Sequence, residues 1–251
     1  REESIKMLVT KTALAFIVLG LGLAFCGWRF LKAFRKAENP QGNRKIGLLL
    51  TLFFFTSSIQ TAGIIGLGSL FLAENLENLY YVSLAANIFL STFAVLGVYT
   101  MCYVFFPKIK LWIPIIFVLA LDLLGVVLTV LTHPIPIITS GGNIDWNLGP
   151  ALSLVTFTLL LLGIGAQSYI FINLFSFAKG RELRITSLFL AISSFGAVIA
   201  QFINFILLRK ADAFFRTNIY DGLTVLTGIL FLVGLGIIPF FKGKPVNSFG
   251  N

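Results

Sequence analysis

An all-α bundle of seven transmembrane helices, with its N-terminus outside and its C-terminus in the cytoplasm, is the fold class the sequence predicts, and three observations predict it. The chain is 57% hydrophobic and 12% charged, with a mean hydropathy of +0.95, a balance foreign to soluble domains. Its charges gather in short clusters between apolar runs of roughly 20 residues or more, the length a helix needs to cross about 30 Å of hydrocarbon. The Lys and Arg residues fall unequally on the two sides that those runs define.

The runs cover 8–30, 46–72, 79–105, 111–132, 150–177, 185–208 and 219–241. Helices are required because an unpaired backbone cannot face lipid, and the runs lack the alternation of a β-barrel. Pro114 and Pro150 sit just inside the starts of the fourth and fifth runs, where a missing N–H costs nothing. Pro239 falls in the last turn of the seventh. The strong basic flank lies after the first run and no small-x-small cleavage site follows it, so that run is expected to stay as a helix. Without a long linker, low-complexity tract or internal repeat, 1–251 reads as a single transmembrane domain.

Orientation follows from the cations. One side holds Arg29, Lys32, Arg35, Lys36, Arg44, Lys45, Lys108, Lys110, Lys179, Arg181, Arg184, Lys242 and Lys244. The other holds Arg1, Lys6, Lys11, Arg209, Lys210 and Arg216, together with Glu2, Glu3, Glu74, Glu77, Asp145, Asp212 and Asp221. Thirteen of the 19 cations on the first side make it cytoplasmic. The connection from Arg209 to Arg216 dissents.

Several functions are excluded by composition. The net charge of +9 comes from residues flanking apolar runs, not from a basic face for nucleic acid. Cys26 and Cys102, both inside apolar runs, supply neither a disulfide framework nor a four-ligand metal site. His133 is the single His and lies in a connection, which excludes bis-His haem, His-rich metal centres and Ser-His hydrolysis. Tyr220-Asp221 resembles the Tyr-Asp pair of intramembrane aspartyl proteases, but the partner Gly-x-Gly-Asp is absent and Asp122 stands at another depth. The chain is therefore read as a non-enzyme without cofactor.

Asp122 is the one acid deep in a run, about 18 Å along the helix from Lys110 at 1.5 Å per residue. An ionised group there costs at least about 3 kcal/mol unless paired or protonated. Two readings stand: a proton or cation site, or a neutral acid hydrogen-bonded between helices. Polar residues also share helix faces: Ser57 with Gln60 and Thr61, Asn87 with Ser91, and Gln201 with Asn204. With Gln167 and Asn173 they fit either a small polar cavity in the bundle or ordinary interhelical hydrogen bonds. Ser193, Gly196, Ala197 and Ala200 make a small-residue strip for close packing on the sixth helix.

The longest outer connection, from His133 to Gly149, has two short apolar strips around Ser140-Gly141-Gly142-Asn143 and reads as a small β-hairpin or folded lid. Its outer candidates are His133, Asp145 and Trp146, the last placed at the membrane interface. A plain connector is the alternative.

The layout, with Leu131-Thr132-His133-Pro134 after the fourth run and Asp221-Gly222-Leu223-Thr224 opening the seventh, resembles the N-terminal seven-helix sensor region of bacterial histidine kinases. The resemblance implies a sensing bundle that passes a conformational change to a cytoplasmic effector. The sequence ends soon after Lys244, at Pro245–Asn251, so that effector is expected to be a separate protein. The expected partners are the lipid bilayer and other membrane or cytoplasmic proteins. Besides a receptor-like sensor, two readings remain: an accessory or scaffolding subunit of a larger assembly, rich in packing surface from 27 Phe residues, and a small-solute or proton transporter using Asp122.

Overall fold

The computed structural model describes residues 2–36, 41–72, 75–177, 181–208 and 210–236, with backbone alone at 2–10, 33–34, 36, 41–44, 181–183 and 235–236. Among the described residues are seven helices long and apolar enough to cross a membrane. They are α1 (Glu2–Lys36), α2 (41–72), α3 (Leu76–Phe105), α4 (Trp112–Thr132), α5 (Pro150–Phe177), α6 (181–207) and α7 (Ala213–Gly236). Between α4 and α5 lies a two-stranded antiparallel hairpin, β1 (Ile137–Ile138) and β2 (Ile144–Asp145).

The apolar runs and the helices coincide to within a few residues at most ends, but α7 is a correction. Its run was expected to begin at 219, whereas the helix begins at Ala213. The added turns, Ala213 to Asn218, carry Arg216, Thr217 and Asn218 and so fall below the hydropathy of a span. They are held as helix because the Phe215 N–H donates to Asp212 Oδ2 at 3.2 Å, an N-terminal cap. The stretch 237–241 with Pro239, the cations Arg1, Lys179, Arg209, Lys242 and Lys244, the acid Glu74, and the tail Pro245–Asn251 lie outside the described residues.

Six helices form a closed ring. α1 packs on α2 and α7, α2 on α3, α3 on α5, α5 on α6, and α6 on α7. α4 packs on α3 and α5 from outside that ring, and it is the least buried, with 17% of its span covered against 33–50% for the others. Where α3 meets α5 the backbones touch: a Cβ on Gly97 would stand 2.7 Å from the Gly163 carbonyl oxygen, so only glycine fits there. Of the strip on α6, Ser193, Ala197 and Ala200 are each at most 9% exposed, while Gly196 is half-buried.

Three helices of the ring carry π-helical stretches: Ile59–Leu67 in α2, Leu161–Gly165 in α5 and Ile203–Leu207 in α6. Wide turns of this kind shift the register of all that follows and spread the local helix wall.

Candidate functional site

The ring is hollow. A cavity of about 130 Å³ runs along its axis, lined by all six ring helices and by the connection after the hairpin, but by no residue of α4. Helical periodicity selects the walls: Ser83, Asn87 and Leu90 repeat at four and three residues on α3, and Ser194, Ala197 and Gln201 do so on α6. Each π-helical stretch adds to the wall, through Gln60, Thr61 and Ile65 in α2, Ile164 in α5 and Phe205 in α6.

The floor is aromatic. Phe53 meets Phe54 and Phe93 edge-on at 5.5 and 5.9 Å between ring centroids, and Phe54 meets Phe231 edge-on at 6.1 Å. All four line the cavity. Behind them Phe30 and Phe171 stack on Phe54 at 5.5 and 6.1 Å and close that end.

The roof is the hairpin. Ile137 pairs with Asp145 and Ile138 with Ile144, and the Thr139 N–H donates to the Asn143 carbonyl at 3.0 Å across the turn. Gly142 holds φ at 85°, a left-handed value that a side chain would strain. Ile144 buries against Leu79 and Val82 of α3 with Trp146 and Ile138 beside it. Trp146 then reaches the cavity and lines it together with Leu148.

Polar contacts fasten this roof to α1 and α7. Asp221 Oδ2 accepts from Thr12 Oγ1 and from Asn143 Nδ2, both at 2.6 Å. The Ile144 N–H donates to Thr12 Oγ1 at 2.9 Å. Arg216 pairs with Asp145, whose other oxygen accepts from the Asn147 N–H at 3.0 Å. Thr12, Asn143 and Arg216 were not singled out as site residues from sequence, and Asp221 was weighed there as half of a protease-like pair and as the start of the seventh run's motif. Arg216 did leave a signal, because a cation on the less basic side calls for an acidic partner, and Asp145 is that partner.

Of the intramembrane candidates, Gln60, Asn87, Gln167 and Gln201 come together on the cavity wall. Gln60 Nε2 donates to the Ala86 carbonyl of α3 at 2.9 Å, and Asn87 Nδ2 donates to Thr129 Oγ1 of α4 at 3.0 Å. Gln201 and the Tyr220 hydroxyl lie 3.0 and 3.2 Å apart through the two atoms of the amide. Gln167 is 1% exposed, and neither atom of its amide has a hydrogen-bond partner in the protein. Asn204 is buried in the π-helical end of α6 and does not line the cavity.

Asp122 stands apart. Its carboxyl faces Ser91 of α3, and no part of it lines the cavity. The cause is the position of α4 outside the ring. His133 ends α4 in a left-handed conformation with φ at 41°, its ring 3.9 Å from that of Tyr80 between centroids. Its N–H donates to the Thr129 carbonyl at 3.0 Å, so it caps the helix. Among the described residues no group of three or more His, Cys, Asp or Glu is placed to hold a metal ion.

Comparison with known proteins gives no match. No protein-family model, curated protein or solved structure resembles the chain, so a functional reading rests on the cavity and its roof.

Proposed function

We propose that the chain is a multi-pass protein of the cell membrane, with its N-terminus and hairpin outside and its C-terminus in the cytoplasm. In this reading it is a receptor-like sensor that takes a small ligand into the axial cavity and relays occupancy to a separate cytoplasmic partner. The observation that carries it is the hollow ring beneath a tethered roof, with Trp146 bridging the two. Thirteen of 19 cations on one side supply the orientation. A relay is what the resemblance of the sequence layout to histidine-kinase sensor regions would imply. Gln167, an amide without a partner in the cavity wall, supports a ligand over a plain packed bundle.

The test has two parts. In cells, an impermeant maleimide should label a Ser140→Cys variant from outside and a Lys110→Cys variant only after permeabilisation, both in a background with Cys26 and Cys102 replaced by Ser. In nanodiscs, spin labels at positions 140 and 177 should change separation when the cavity is filled. Labelling of position 110 from outside would overturn the orientation, and an unchanged separation would overturn the relay.

A second reading, a subunit of a larger membrane assembly, is favoured by α4, the least buried helix, which presents Ile116, Phe117, Leu123 and Leu131 outward. Crosslinking from position 123 in native membranes separates the two, since a subunit gives a discrete protein adduct there and a solitary sensor gives lipid adducts.

A further inference from the structure

Gln167 sets the chemistry of what enters the cavity. Its carboxamide has two donor hydrogens and one acceptor, lines the cavity, is 1% exposed, and finds no partner in the protein. The neighbouring amides differ, because Gln60, Asn87 and Gln201 each donate to a protein oxygen. Buried polar groups are nearly always hydrogen-bonded, so the missing partner is sought among molecules that enter.

Two features narrow the class. No charged side chain lines the cavity among the described residues, and a charged ligand would lie unpaired in surroundings of low dielectric constant. The wall extends along α5 from Thr156 to Gln167, about 16 Å at 1.5 Å per residue. A volume of about 130 Å³ spread over that length is slender, and the walls between the amides are aromatic and aliphatic. We propose that the cavity binds a small uncharged amphiphile, an alkyl chain or single ring ending in a hydroxyl or amide, whose terminal group exchanges hydrogen bonds with the Gln167 carboxamide. Such molecules partition into membranes, so the bilayer concentrates them at the protein. This inference deepens the sensor reading and rests on its lidded cavity.

The experiment is photolabelling of the whole protein in nanodiscs with a diazirine analogue of hexan-1-ol, the matching analogue of hexane as control, and peptide mapping of the adducts. The expected result is saturable labelling of Phe93 and Leu160, displaced by hexan-1-ol and not by hexanoate. Gln167→Leu should lower it about tenfold while leaving the hydroxyl-free probe unchanged, and Leu123→Val, on the outer face of α4, should have no effect. If Gln167→Leu does not fold, Gln167→Asn, which withdraws the amide by one methylene, should give intermediate labelling. Equal labelling of the wild type and the folded position-167 variant overturns the proposal. So does labelling confined to outward-facing side chains, which would mean that the cavity holds water alone. Failure of the sensor reading is distinguishable: the alcohol would bind as described while the separation between positions 140 and 177 stayed fixed.

Discussion

Arg216 and Asp145, 71 residues apart in sequence, form an ion pair between the first turn of α7 and the second strand of the hairpin, with each side chain 12% exposed. A pair so covered is screened less by salt than a surface pair. Removing Arg216 takes from the Asp145 carboxylate its ion-pair partner. Arg216→Ala is therefore expected to raise the hydrogen-exchange rate of the Ile138 and Ile144 amides at least about fivefold, equivalent to about 1 kcal/mol. The Asp145→Asn/Arg216→Ala double variant should lose less than the two singles combined, and exchange in the wild type should change little between low and moderate salt.

Asp221 gives a second test of the roof. Its Oδ2 accepts from Thr12 and Asn143, and taking a donor away from a buried acceptor costs about 1–3 kcal/mol. Asn143→Ala should lower thermal stability in detergent by about that amount and free the hairpin, read as faster proteolysis near Ser140. A variant as stable and as protected as the wild type would mean that the clasp has no energetic role.

Gly163 tests the ring closure. A Cβ there would stand 2.1 Å from a ring carbon of Phe93 and 3.2 Å from the Ala94 Cα. Gly163→Ala should destabilise by about 1–3 kcal/mol through forced repacking. It should also disturb the aromatic floor, visible as altered near-ultraviolet circular dichroism.

Asp122→Asn is expected to leave stability within about 1 kcal/mol of wild type, since Asp122 Oδ1 has no hydrogen-bond partner in the protein to lose and the amide is nearly the same size. A proton-flux assay on reconstituted protein, with loss of flux in this variant, is the outcome that would revive the transporter reading.

The helices were legible because a helix able to cross a membrane must be long and apolar whatever its neighbours are. The faces were legible in part: Ser57, Gln60 and Thr61 share the wall as grouped, whereas Ser91 and Asn204, grouped with Asn87 and Gln201, do not line the cavity. The ring order was not, since membrane helices associate through small residues and local fit, and no period in the sequence says that α4 stands outside. This is why the depth of Asp122 along its run did not tell that it stands off the cavity. Nor was the clasp readable, because Thr12 and Asp221 are 209 residues apart and meet only when α1 and α7 pack. The hairpin itself announced its turn through Gly141 and Gly142, but nothing local said that Trp146 would point inward.

The π-helical stretches have a mechanical meaning. Each residue of an α-helix turns the chain by about 100°, so a helix that gains or sheds one residue of register at a wide turn rotates everything beyond it by that angle. In α5 the wide turn Leu161–Gly165 stands between the roofed end and the segment Ala166–Phe177, and Gln167 lies two residues past it. Tightening that turn would swing Gln167 off the cavity wall and carry Tyr169 and Phe177 around the helix axis with it. A change of register at that turn would therefore reach Gln167 as a rotation of the lower part of α5.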